Sequence, residues 1–203
     1  MKRLTVFIIA MIMVATSGYG KDFTLPHLII HSGITKPASP NEFSKSWTTG
    51  ANVGIGLGYD ISKRVELFGT VNYNHLTLNS RGIENLYKTS SLAAIEGGPA
   101  SITCAQLMFK LNFPSDKTPD ILSSLYTGIG YNSLFQKKIS IYETDEDKII
   151  DSNTKNMPSI EFGIGFEYLL EDTAMFLQIG VNIGFHDPDN FVYLPVKFGV
   201  VIN

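Results

Sequence analysis

The sequence predicts an all-β fold, an eight-stranded antiparallel up-and-down transmembrane β-barrel, on three observations. The first is alternation. In residues 50–60, Ala51, Val53, Ile55, Leu57 and Tyr59 share one face, and Gly50, Asn52, Gly54, Gly56, Gly58 and Asp60 share the other. Successive side chains of a strand point to opposite sides, so this is a strand with one apolar face. A second face that met bulk water would carry solubilising charge. Glycine and asparagine instead suit a narrow barrel interior, with the apolar face turned to lipid. The second observation is that three long connections on one end alternate with short turns on the other, the fourth connection of the long end, residues 186–190, being short. The third is an export leader.

The leader comes first in the chain. Met1-Lys2-Arg3 is basic, residues 4–15 are apolar, and small residues follow at Ser17, Gly18 and Gly20. That is the layout of a secretory signal peptide. Residues 1–20 are therefore assigned as the signal peptide and residues 21–203 as the outer-membrane β-barrel domain. The apolar run of about twelve residues falls short of the roughly 20 that a spanning helix needs.

Eight strands follow in order. Residues 26–35 are the least regular, with Leu28, Ile30 and Ile34 opposing His27, His31 and Gly33. Residues 48–61 carry the glycine face described above, and Ser62-Lys63-Arg64 makes a tight turn into residues 65–78. A long connection over residues 79–98 precedes residues 99–113. There Ala105, Leu107, Phe109, Leu111 and Phe113 oppose Cys104, Gln106, Met108, Lys110 and Asn112. After a short turn, residues 121–135 set Leu125, Thr127, Ile129 and Tyr131 against Tyr126, Gly128, Gly130 and Asn132. A charged segment, residues 136–157, leads to the most regular strand. In it Ile160, Phe162, Ile164, Phe166 and Tyr168 oppose Glu161, Gly163, Gly165 and Glu167. Glu171-Asp172 turns the chain into Leu177, Ile179, Val181, Ile183 and Phe185, and the last strand aligns Val192 through Ile202. Each segment offers the ~9–11 residues a tilted strand needs to cross a bilayer. Tyr59, Phe113, Tyr168 and the pair Phe191/Tyr193 lie near strand ends, where interfacial aromatic girdles are expected.

Composition agrees. The charged fraction is 17%, below the usual ~25% of soluble domains. Formal net charge is −3, so no basic footprint points to nucleic acid. Cys104 is the single cysteine, which rules out an intramolecular disulfide framework.

The run Gly54-Ile55-Gly56-Leu57-Gly58-Tyr59-Asp60, with Val65-Glu66-Leu67-Phe68-Gly69 after it, resembles the small outer-membrane β-barrel domain family of Gram-negative bacteria, the OmpA/OmpX-type eight-stranded barrels. Phe162-Gly163-Ile164-Gly165-Phe166-Glu167-Tyr168 repeats the pattern, and so does the ending from Tyr193 to Ile202. Lys197, Gly199 and Ile202 resemble the family's C-terminal assembly signal, although Asn203 stands where an aromatic residue is usual. The resemblance implies an outer-membrane location and a surface or envelope-structural role.

The candidate functional residues fall into two groups. Asp60, Glu66, Lys110, Glu161, Glu167 and Lys197 all read as inward-facing. Charges inside a barrel this narrow should be paired, so Lys110 is expected to meet Glu66 or Glu167, and Lys197 to meet Glu161. The second group is a projecting hairpin. Ile139, Ile141 and Tyr142 lead out, Asp145-Glu146-Asp147 make a polar apex, and Ile149 and Ile150 lead back. Such a hairpin would offer an edge to a partner strand. A mobile charged loop is the competing reading.

Other residues support duller roles. Gly54, Gly56 and Gly58 lack the strand-to-helix context of a phosphate loop and leave room for bulky neighbours. His27 and His31 share a face, but no further ligand joins them, so no metal or cofactor is expected. Cys104 reads as an interior filler. A lipid-modifying enzyme would need His and Ser on one outward face. His31 and Ser32 point apart, and His75 has only Thr77 beside it on its own strand. The expected protein is a non-enzymatic outer-membrane barrel plugged by its own side chains. Its partners are outer-membrane lipid and, through the external loops, a surface protein or a host or cell partner. A soluble exported barrel binding a small apolar ligand is the alternative, with an outer-membrane lipid-modifying enzyme behind it.

Overall fold

The computed structural model describes residues 26–62, 64–88, 94–115, 118–142 and 147–202. The expected signal peptide lies outside the described residues, as do Asp145 and Glu146 of the expected hairpin apex. Eight strands close into an antiparallel barrel. They are β1 (His27–Ser39), β2 (Gly50–Ser62), β3 (Val65–Leu76), β5 (Ala100–Ser115), β6 (Thr118–Gln136), β9 (Asn153–Leu169), β10 (Thr173–Gly184) and β11 (Phe191–Ile202). The barrel closes where β1 pairs with β11 over Leu28↔Ile202 to Ser39↔Val192. Every strand thus has both edges paired, which removes the open edge a lipid environment cannot satisfy.

The register is staggered. Following paired residues around the wall from His27 leads through Gly58, Phe68, Met108, Gly128, Glu161, Asn182 and Tyr193 back to β1 at Pro37. That offset is what tilts the strands and sets the barrel radius. The residues on this path belong to the face that the alternation assigns to the interior. Outside it stand Ile55, Leu107, Ile129, Phe162, Ile164, Leu177 and Phe198, all exposed, with Ile129 at 69%. A soluble protein does not present such a belt. No helix among the described residues is long and apolar enough to cross a membrane.

One end is elaborated and the other is bare. The connections β2–β3, β5–β6 and β9–β10 span only two or three residues each. The opposite end carries α1 (Asn41–Ser46), α2 (Ser80–Tyr87), and a small sheet of β4 (Ala94–Gly97), β7 (Ile139–Tyr142) and β8 (Lys148–Ile150) in the order β4-β7-β8. Strand β9 also rises higher than its alternation suggests, starting at Asn153 and pairing there with Gln136 of β6. The alternation gives no sign of the helices. Asn79 caps α2 by accepting a hydrogen bond from the Gly82 N–H at 3.2 Å, and Lys88 ends it in the left-handed conformation. A capping Asn followed by Ile83, Leu86 and Tyr87 at helical spacing is the signal that local sequence does offer.

Candidate functional site

The interior is filled in layers. At the turn-bearing end the Lys110 ammonium lies between two carboxylates, Glu66 and Glu167, the latter at 2.5 Å. The His27 Nε2 donates to Glu66 Oε1 at 2.8 Å. Above this lies an apolar band of Ile29, Phe68, Met108, Tyr126 and Phe176. Next comes a polar network centred on Glu161. Lys197 Nζ stands 2.5 Å from Glu161 Oε1, while the amides of Gln106 and Asn182 donate to Oε2 at 2.9 and 3.1 Å. The network extends on both sides. His31 Nε2 donates to Asn72 Oδ1 at 2.7 Å, Asn72 donates to Gln106 at 2.9 Å, and Asn132 donates to Asn182 at 2.8 Å. A buried carboxylate with one ammonium and two amide donors has its charge compensated and its lone pairs used.

Glycine makes this packing possible. On β2, a Cβ at Gly58 would fall on the His27 imidazole, and one at Gly54 on that of His31. The two histidines of β1 therefore cross over β2 to reach Glu66 and Asn72 on β3. Likewise the Tyr126 hydroxyl lies over Gly163 and Gly180. His27 and His31 thus engage side chains of the wall, and no metal-binding group is found among the described residues. Cys104 is buried in the interior. On the outer face, the register sets His75 opposite Ser101, so a histidine and a serine do share the outer wall, contrary to the expectation read along single strands.

An apolar layer, here termed the seal, lies across the upper mouth. Phe43 and Trp47 near α1, Ile83 of α2, and Ile139 and Ile141 of β7 pack onto Leu76, Ala100, Ile102, Leu134 and Met157 from the strand tops. Phe191 and Tyr193 belong to this seal, at 5% and 2% exposure. They are therefore not girdle residues. The inward parity of β11, shared with Lys197, turns them to the axis. Tyr59, Phe113 and Tyr168 do lie on the outer wall, with Phe113 and Tyr168 exposed.

The expected hairpin also takes a different form. β7 pairs with β8 through Ile139↔Ile150 and Ile141↔Lys148. Its other edge is taken by β4, through Ala94↔Tyr142 to Gly97↔Ile139. The 139–142 segment has no free edge, and its isoleucines point down onto the seal because the mouth is apolar. Tyr142 and Ile149 remain exposed, and Ile150 is half-buried.

Between α1, the tops of β6 and β9, and the β10–β11 loop lies a cleft of about 100 Å³. Glu42, Tyr87, Lys155, His186, Asp189 and Phe191 are among its lining residues. The Lys155 ammonium sits 4.8 Å over the Phe191 ring, and Lys148 sits 4.0 Å over that of Tyr87. Burial, and after it the charge of Glu42, push the Tyr87 hydroxyl above its ordinary pKa.

No family model and no curated protein sequence matches this chain. Solved structures do. Neisserial surface protein A (NspA) aligns at a TM-score of 0.50 and 14% identity, over 90% of this chain and 99% of that one. A major outer membrane protein from Thermus thermophilus aligns at 0.50 and 9% identity, over 88% and 99%. At such identities the likeness speaks for fold. With its closed wall and apolar exterior, this chain has the fold of the small eight-stranded β-barrels of bacterial outer membranes.

Proposed function

We propose that the chain is an integral outer-membrane protein of a Gram-negative bacterium, exported through a signal peptide at residues 1–20. In this reading the barrel is plugged by its own side chains and acts at the cell surface through its elaborated end, in contact with a surface or host partner or in support of the envelope. No cofactor and no catalytic step enters. The observation that supports it is the pairing of an apolar exterior with a filled interior. The ion pairs Lys110–Glu66, Lys110–Glu167 and Lys197–Glu161 occupy the axis below, and the Phe43/Leu76/Leu134/Phe191 seal occupies it above. A soluble carrier of apolar ligands would need the opposite arrangement, an apolar cavity inside a charged wall.

Two measurements test the reading. Isolated envelopes should release the protein into detergent and not into high salt or on osmotic shock. Purified protein in a planar bilayer should show no steady conductance. Release by salt or shock would overturn the membrane assignment, and a reproducible open-channel current would overturn the plug.

A further inference from the structure

The cleft at the elaborated end has a chemistry that the filled barrel does not use. We propose that it receives a single basic side chain, lysine or arginine, from a partner protein; this rests on the surface reading above and names the kind of partner. Two aromatic rings of the cleft, Tyr87 and Phe191, each already hold an ammonium group of this chain, Lys148 at 4.0 Å and Lys155 at 4.8 Å. Their faces are therefore placed to attract cations. Glu42 and Asp189 line the same cleft, both exposed, and neither forms an ion pair among the described residues. Asp151 and Asp187, also exposed, each adjoin a lining residue in the chain. The opening of about 100 Å³ has room for one extended side chain. Glu42 and Asp189 outnumber Lys155 among the lining side chains, and beside cation-holding rings that excess of negative charge favours a guest of positive charge. Lys155 is then the internal competitor of that guest, holding the Phe191 face and repelling a second ammonium.

This role for Lys155 makes the proposal testable by the sign of an effect. Trp47 lines the cleft and is the single tryptophan of the chain, so its emission reports occupancy. Purified full-length protein in detergent would be titrated with acetyl-Gly-Lys-amide, with the uncharged norleucine analogue, and with methyl glucoside. The lysine peptide should give a saturable change and the other two should not. Glu42→Gln with Asp189→Asn should raise its Kd about fivefold, whereas Lys155→Ala should lower it about threefold, in line with exposed charge and cation–π contributions. Glu42 and Asp189 are exposed, so the amide variants should keep the heat-modifiable band of a folded barrel. A flat titration, an equal response to norleucine or glucoside, or weaker binding in Lys155→Ala would each overturn the proposal. Because the titration uses purified barrel, its outcome is separate from the extraction and conductance tests.

Discussion

Lys110 is the side chain on which the lower interior depends. Its ammonium serves Glu66 and Glu167 together. Glu66 has a further donor in His27, whereas Lys110 is the cation on which Glu167 relies. Removing one partner of a buried pair leaves the other charged and unpaired, typically at a cost of about 3–5 kcal/mol. Lys110→Met should therefore destabilise the barrel by about 3 kcal/mol or more, measured as the shift in urea unfolding in detergent. Adding Glu167→Gln to that variant should recover a good part of the loss. A double variant no more stable than Lys110→Met would show that the damage is steric. Alternation assigns these residues to the interior. That Lys110 reaches across to two strands is not visible in it, because register depends on pairing and not on any one segment.

Residue identity also decides which substitutions are informative at the membrane. Ile164 is lipid-facing and lies mid-strand, where an arginine costs roughly 2–4 kcal/mol. Its neighbour Gly163 is a poor neutral control, since a Cβ there would strike the Ile179 carbonyl and the Tyr126 hydroxyl. Gly165 is better. Its nearest obstacle is the Ser124 hydroxyl at 2.5 Å, which can rotate away. Ile164→Arg should impair insertion into lipid vesicles far more than Gly165→Ala. Equal insertion of the two would mean that the faces of β9 are misassigned.

At the scale of elements, the barrel strands and the added pieces obey different physics. A barrel strand announces itself by a period of two, since one face meets lipid and the other the axis. β4, β7 and β8 are too short for such a signal, and β7 holds its place through β4, a strand distant in sequence. The segment 139–142 alternates, which is why a hairpin is expected there. The expected free edge is wrong because nothing local indicates that residues 94–97 return to cover it. With hydrogen bonds on both sides, the amides of β7 should exchange more slowly than those of β8 at the margin of the sheet. Hydrogen exchange by mass spectrometry would read this, and equally fast exchange in the two strands would mean that the small sheet does not persist in solution.

For the whole molecule, the sequence alone determined the all-β class, the eight membrane-crossing segments and the two faces of each. These are local properties: the bilayer requires the same alternation of every strand, so each carries its own record of it. It also placed Glu66, Lys110, Glu161, Glu167 and Lys197 on the inner face. Only the tertiary structure decided the rest. The stagger of the barrel set which charges meet. The helices and small sheet packed over the mouth onto Phe191 and Tyr193, which the parity of β11 already turns inward. The cleft among Glu42, Tyr87, Asp189 and Phe191 exists because connections far apart in the chain converge there. Such convergence comes from closing the wall, a constraint shared by all eight strands and written in none of them singly.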